Sequence, residues 1–232
     1  MAGLPRGSVL PGGYTPGVDL YLLRHGESQA NAGLTDNLDS GLTDLGRMQA
    51  EASAERLKDV GLDAIYVSPL VRTLETVAPI CRTTGLPAIA YSEICEFFSP
   101  NYPGFRRFHG LSPAEIVRRF PFVRASADFP CSDAWWPGDF ENDRAMYDRA
   151  VRVRDTLVRR HGATADKVLV VTHAETVGRL IEAFQGLPPD PDPPWSDNCG
   201  LSLIHWSPPG PGRLEYLNDT WHMAPRTLDA TG

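Results

Sequence analysis

The sequence predicts an α/β fold: a three-layer α/β/α domain with a mostly parallel open sheet, a C-terminal antiparallel hairpin and an inserted cap segment. Three observations predict it. The apolar runs VDLYLL (18–23), DAIYV (63–67) and KVLVVT (167–172) have the length and β-branched content of buried strands. Each is followed, directly or after a loop, by apolar residues at helical spacing, the alternation that builds a parallel sheet. Two further strand-like runs, LSLIHW (201–206) and RLEYLN (213–218), flank the turn-rich SPPGPG and predict a closing hairpin.

The chain's 232 residues fit one large domain. Residues 1–17, MAGLPRGSVLPGGYTPG, are too rich in proline and glycine, and their apolar run too short, for a secretion signal; they read as a flexible leader before a single domain over 18–232. The first helix falls within 43–60, with Thr43 as N-cap and Leu45, Met48, Ala52 and Leu57 on roughly one face. The second opens at Ser68-Pro69, a capping hydroxyl followed by proline at the first helical position, and buries Leu70, Val71, Leu74, Val77 and Ala78. Pro79 should end or kink it. From about 93 to 145 the alternation breaks. Phe97, Phe98, Tyr102, Phe105, Phe108, Trp135 and Trp136 lie there among prolines, with one helical piece near 113–120. This segment reads as an insertion covering one edge of the sheet, either as a satellite hydrophobic cluster or as a substrate lid. After KVLVVT, the residues Val177, Leu180, Ile181 and Phe184 mark a helix that Gly186 and Pro188 stop.

Composition narrows the function. With 42% hydrophobic and 22% charged residues and a formal charge of −7, the chain is unsuited to broad attraction to nucleic acid or an acidic membrane surface, and no stretch approaches the length of a membrane span. The cysteines at 81, 95, 131 and 199 form no CxxC pair and no zinc-like spacing, so free thiols in a cytoplasmic protein are expected, with disulfides as the alternative. No cofactor or metal is expected, and the chain should be a monomer or a homodimer.

Three strand ends deliver charged or imidazole side chains to one topological place. VDLYLL runs into Arg24-His25, DAIYV into Ser68 and a helix whose first turn carries Arg72, and KVLVVT into His173. Ligands of an open α/β sheet sit beyond the carboxyl ends of its strands, so parallel strands bring two arginines and two histidines together. A lone histidine or arginine at such an end is usually a satisfied or solvated residue. The four together, edged by helix N-termini, favour an anion, and arginine forks match the oxygens of phosphate. No P-loop, GxGxxG or Cys-x5-Arg loop is present, which leaves imidazole as the nucleophile. His25 can attack phosphorus with one ring nitrogen unprotonated. Gly26 permits a tight turn in which a nearby carbonyl holds the other N–H, and Arg24 should depress the ring's basicity.

RHGES with Asn31 following, SGLTDLGRMQA (40–50), SPLVRTLET (68–76) and VVTHAETVGRL (170–180) together resemble the histidine phosphatase superfamily, the phosphoglycerate mutase-like phosphatases and mutases. The resemblance runs from 18 to about 206, with the motifs in the family's order. It implies that His25 becomes a phosphohistidine while Arg24, Arg72 and His173 hold the phosphoryl oxygens, with Asn31 as a further donor. It also implies a glutamate acid within an apolar-x-Glu pattern, which Ile94-Cys95-Glu96 fits; Glu93 is the rival, on the same face if this piece is helical. Glu141, in PGDFEN, resembles a helix-start acid with a supporting role. Two departures stand out: Ala174 occupies a position that is commonly glycine, and EFFSPNYPGF lacks a glycine-tryptophan-glycine turn.

The resemblance thus implies a metal-independent phosphomonoester hydrolase acting on a small phosphorylated metabolite, with Glu96 as general acid and base. The alternatives are phosphoglycerate mutase-type phosphotransfer and a non-catalytic phospholigand-binding protein. Arg106-Arg107 and Arg118-Arg119 fall where mutases carry an arginine-rich insert, although Arg118-Arg119 lies on a predicted helix and suits a solvated face. Arg106, Arg107 or His109 either meets a second anionic group of the substrate or, the commoner role for such residues, is structural or solvent-facing.

Overall fold

The structure is a computed structural model that describes residues 17–97, 108, 110–125, 135 and 141–224. Its strands are β1 (Val18–Arg24), β2 (Ala64–Val67), β3 (Ala88–Ala90), β4 (Val123–Ala125), β5 (Lys167–Thr172), β6 (Leu201–Trp206) and β7 (Arg213–Asp219). The helices are α1 (Asp44–Leu57), α2 (Val71–Thr84), α3 (Pro113–Arg119), α4 (Asp143–His161) and α5 (Ala174–Gln185). The strands form one sheet in the order β4-β3-β2-β5-β1-β6-β7. The first five in that order run parallel, and β6 and β7 close the sheet antiparallel.

Both sheet faces are covered, which explains the unbroken apolar runs. Leu23, Val67 and Val171 pack with α1 and α2 through Leu57, Leu74 and Val77. On the other face, Leu20, Leu22, Val168 and Val170 pack with α4 and α5 through Val153, Leu157, Val177 and Leu180. The three-layer architecture and the C-terminal hairpin are therefore as the sequence predicts.

The local differences have physical causes. Thr43 does cap α1, accepting from the Gly46 amide, but Leu45 and Met48 point to solvent and the buried face is Gly46, Ala50, Ser53, Ala54 and Leu57. Close approach selects this small-residue face: a Cβ on Gly46 would lie 2.1 Å from the Glu27 carbonyl oxygen. Helix α2 begins at Val71, not at Pro69, and its first amide is capped from outside, by Asp39 Oδ1 at 2.6 Å. Pro79 sits inside α2, which continues to Thr84 and ends at left-handed Gly85. Burial of Leu74, Val77 and Ile80 on either side offsets the missing donor.

The 93–145 segment does more than cover an edge. It contributes β4, the edge strand itself, and α3, which starts at a capping box of Ser112 and Glu115. Phe108 and Trp135 belong to the core beneath it, with Trp135 Nε1 donating to the Leu111 carbonyl at 2.8 Å. Phe97 is described and partly buried, whereas Phe98, Tyr102, Phe105 and Trp136 lie outside the described residues, as does the leader apart from Gly17. Helix α4 goes unanticipated in the sequence reading, yet Met146, Ala150, Val153 and Leu157 recur at helical spacing and are buried.

The assignment of the α1 face is testable by unfolding in denaturant. Leu57→Ala should destabilise the fold by about 2–5 kcal/mol. Met48→Ala, at a residue 69% exposed, should change it by less than about 0.5 kcal/mol.

Candidate active site

β5 lies between β1 and β2, and the register sets their carboxyl ends level: Arg24 pairs with Thr172, and Val67 with Val171. The chain just beyond the strands stays attached, with the His25 amide donating to Thr172 O at 2.9 Å and the Ser68 amide to Val171 O at 3.0 Å. His25 and His173 therefore meet with ring centroids 5.1 Å apart, edge to face. His25 borders a pocket of about 510 Å³ whose walls also include Arg24, Asn31, Arg72 and Glu96. The six residues singled out from sequence come together, five in the wall of one pocket and His173 against His25.

His25 is held by its own turn. Its Nδ1 lies 2.7 Å from the Gly26 carbonyl oxygen. A carbonyl only accepts, so Nδ1 carries the proton and Nε2 the lone pair. Gly26 is required there by space, since a Cβ would fall 2.6 Å from the Gly46 carbonyl oxygen. Its amide donates to Thr76 Oγ1 at 3.0 Å, and the Asn198 amide group donates to the His25 carbonyl at 3.0 Å. Arg72 Nε donates to His25 Nε2 at 3.1 Å, while its Nη1 bonds the Leu38 carbonyl at 2.8 Å. Burial pulls the His25 pKa well below the ordinary imidazole value, with Arg72 the next cause; Arg24, the neighbour in sequence, is a lesser one, and the Gly26 carbonyl opposes them.

His173 is fully buried and its Nε2 lies 2.8 Å from Ser68 Oγ. The Ser68 hydroxyl thus orients a histidine instead of capping a helix. Burial, then Arg72 and His25, hold His173 well below the ordinary imidazole pKa. Arg24 donates from Nη1 to the Ser196 carbonyl at 2.8 Å, and its guanidinium lies 5.0 Å from the centroid of the Trp195 ring. Arg24 Nε and His173 Nδ1 are buried without a hydrogen-bond partner among the described residues. Buried polar atoms left so are costly, and an anion's oxygens are one kind of partner that would satisfy them. Asn31 Oδ1 accepts from the Ser28 amide at 3.3 Å and from Asn198 at 3.2 Å, which leaves the Asn31 amide group as a donor at the pocket wall.

Glu96 is placed by its backbone. Arg149 Nη1 donates to the carbonyls of Glu93 and Cys95 at 2.7 and 2.9 Å, Thr172 Oγ1 to that of Ile94 at 2.6 Å, and Thr176 Oγ1 to that of Cys95 at 2.8 Å. All three carbonyls preceding the glutamate are therefore fixed. Arg149 in turn is gripped by both oxygens of Glu141, at 2.7 and 2.6 Å, which is what this helix-start acid does here. Burial pushes the Glu96 carboxyl up to about 7, with Arg72 and the Phe97 amide opposing. Glu93 points elsewhere: its carboxylate pairs with Arg152 at 3.0 Å, and it lies within a single 3-10 turn, Ser92–Ile94, that ends before Glu96.

Several contributors escape the sequence reading. Arg149 is one of several basic residues in α4 and carries no local mark of burial; Trp195 and Asn198 lie in the proline-rich loop after α5, far from any motif. Arg118 and Arg119 are exposed, and Arg106, Arg107 and His109 lie outside the described residues. Among the described residues no group of three or more His, Cys, Asp or Glu side chains could hold a metal ion, and no helix is long and apolar enough to cross a membrane.

The family model of the Histidine phosphatase superfamily (branch 1) matches residues 20–220. The probable phosphoglycerate mutase GpmB of Shigella dysenteriae is 27% identical over 226 residues, covering 93% of each chain. That of Yersinia enterocolitica is 27% identical over 221 residues, 91% of this chain and 98% of the relative. Among solved structures, YhfR of Bacillus stearothermophilus superposes with a TM-score of 0.66 at 27% identity, over 89% of this chain and 99% of that one. A mycobacterial glucosyl-3-phosphoglycerate phosphatase in complex with VO3 gives a TM-score of 0.65 at 25% identity, over 87% and 99%.

The Arg149 clamp has a measurable consequence. Arg149→Met leaves Glu141 without its partner and the Glu93 carbonyl without its donor, and removes one of the two donors to the Cys95 carbonyl, so it should cost on the order of 3 kcal/mol in unfolding free energy. Arg149→Met combined with Glu141→Leu should recover part of that loss, a double-mutant comparison read by denaturant titration.

Proposed function

The chain belongs to the histidine phosphatase superfamily, and from that membership we propose that it is a phosphoric monoester hydrolase acting on a small phosphorylated metabolite through a phosphohistidine on His25. The observation that carries the reading is the orientation of His25, whose Nδ1 is tied to the Gly26 carbonyl so that Nε2 faces the pocket's arginine.

The chemistry follows from the protonation states. Arg72 Nε occupies the His25 lone pair at rest; a phosphate dianion competes for that guanidinium, takes over its N–H and leaves Nε2 free to attack. Arg24, Arg72 and His173 then face the equatorial oxygens, where charge collects in phosphoryl transfer, and Asn31 supplies a further donor. As the N–P bond forms, the P–O bond to the alcohol breaks, and Glu96 gives its proton to the departing oxygen. A water then attacks phosphorus, passes a proton to Glu96, and the P–N bond breaks to release phosphate and neutral His25. The raised Glu96 pKa supports this role, because an acid that must be protonated in one step and ionised in the next works best with a pKa near the ambient pH.

The names of the GpmB relatives favour a second reading, phosphotransfer of the mutase type, in which phosphohistidine returns its group to a second acceptor before water arrives. The same fold without turnover would bind a phospholigand only. Rapid acid quench after mixing with a labelled phosphoester should trap label on His25, and His25→Ala should abolish it. Net release of inorganic phosphate distinguishes the hydrolase from the mutase. An active wild-type enzyme that carries no label on any histidine would sink the mechanism.

A pH profile tests the acid. Glu96 is protonated below about pH 7 and loses its proton above it, so kcat/KM for an alkyl phosphate should fall on the alkaline side of about 7. In Glu96→Gln that limb should vanish and the rate drop by about 10²–10⁴. p-Nitrophenyl phosphate, whose leaving group departs without a proton, should lose far less.

A further inference from the structure

One acidic side chain in the pocket takes no part in the chemistry above. Glu175 sits in the first turn of α5, two residues after His173, and its side chain lines the same pocket as Arg24, His25 and Glu96. It is half-buried, and it forms no hydrogen bond or ion pair with the described residues. The obvious partner is Arg179, one turn further along α5. That arginine is already committed to Glu182 at 3.0 Å, to Asp143 at 3.1 Å and to the Asp190 carbonyl at 2.6 Å. Burial keeps the Glu175 carboxyl above the ordinary carboxylate range, with the charge of nearby Arg179 opposing and Asp143, Glu182 and Asp192 adding to the rise. An unpaired carboxylate in a pocket wall accepts strong charge-assisted hydrogen bonds and repels an anion.

The rest of the wall fits an organic body. Trp195 lines the pocket with its ring over the Arg24 guanidinium and remains 56% exposed, which presents a flat apolar surface beside the phosphate-facing cations. Leu38 and Phe97 add apolar wall. Once a phosphate dianion is opposed to Arg24 and Arg72, the acidic groups left among the described lining residues are Glu96, which holds its proton for the leaving oxygen, and Glu175.

We propose that Glu175 is a specificity-determining residue: it selects phosphomonoesters whose alcohol portion carries hydrogen-bond donors, hydroxyl or ammonium, and disfavours those with a second anionic group close to the ester, while Trp195 supports the body of the alcohol. The inference rests on the phosphatase reading for its substrates, but its evidence is the pocket wall.

Three esters of similar size test it: glycerol 1-phosphate, phosphoethanolamine and 3-phosphoglycerate. The wild type should favour the first two over the third by about tenfold or more in kcat/KM, and Glu175→Gln should narrow that preference by about tenfold. Glu175 also raises the pKa of Glu96. That influence acts on every alkyl ester alike, so the ratio between substrates isolates recognition. A wild type that favours 3-phosphoglycerate, or a ratio unmoved by Glu175→Gln, overturns the proposal. If no ester is hydrolysed, the phosphatase reading fails, and recognition is read instead by calorimetric binding of the three esters to His25→Ala protein with and without Glu175→Gln. The same order, and its narrowing in the double variant, supports the role of Glu175; equal affinities in both proteins refute it.

Discussion

The site depends on one structural constraint, the register of β5 between β1 and β2. The three strands end level, at Arg24, Val67 and Thr172, and the residue that follows each is the one the site uses. Because side chains alternate across a strand, a slip of one residue in either pairing would turn every apolar side chain of that strand to the opposite face. The two hydrophobic layers hold that register: Leu20 and Leu22 face α4 and α5, and Leu23 faces α1 and α2. The geometry of two imidazoles 5.1 Å apart is thus secured by packing that begins well below them.

Burial at this rim sets the protonation states. The same desolvation that keeps His25 and His173 neutral raises the Glu96 carboxyl to about 7. Cationic Arg72 reinforces the effect on the histidines and opposes it on the glutamate, so the imidazoles are pushed further from charge than the acid is. A neutral imidazole and a carboxyl near its midpoint follow from one environment acting on two kinds of group.

How far this was legible from the sequence differs by element. Arg24, His25, Arg72 and His173 could be placed together because each directly follows, or lies in the first helical turn after, an apolar run that reads as a strand. Only topology was needed to bring them to one rim. Glu96 required the resemblance, since the piece around it has no regular period; the structure separates it from Glu93 through carbonyl contacts made by Arg149, Thr172 and Thr176, three residues more than 75 positions away for the threonines and more than 50 for the arginine. The α1 face was misread because apolar periodicity marks burial by size, whereas this helix buries glycine, alanine and serine to approach the turn after β1. Ser68 was read as a cap because Ser-Pro before an apolar run is a strong local signal; a tertiary partner, His173, took the hydroxyl.

These misreadings share a cause. Where local preference and structure disagree, at Ser68, at Gly46 and in the buried fork of Arg149, the tertiary demand comes from the rim. Gly46 allows α1 to approach the Gly26 turn that orients His25, and Ser68 holds His173. Arg149 spends a buried charge on two main-chain carbonyls to aim the next side chain. A buried ion pair is weak evidence for stability, because desolvation offsets much of its attraction. This one is better understood as a fixture: Glu141 pairs with Arg149, and the paired guanidinium fixes the backbone from which Glu96 enters the pocket.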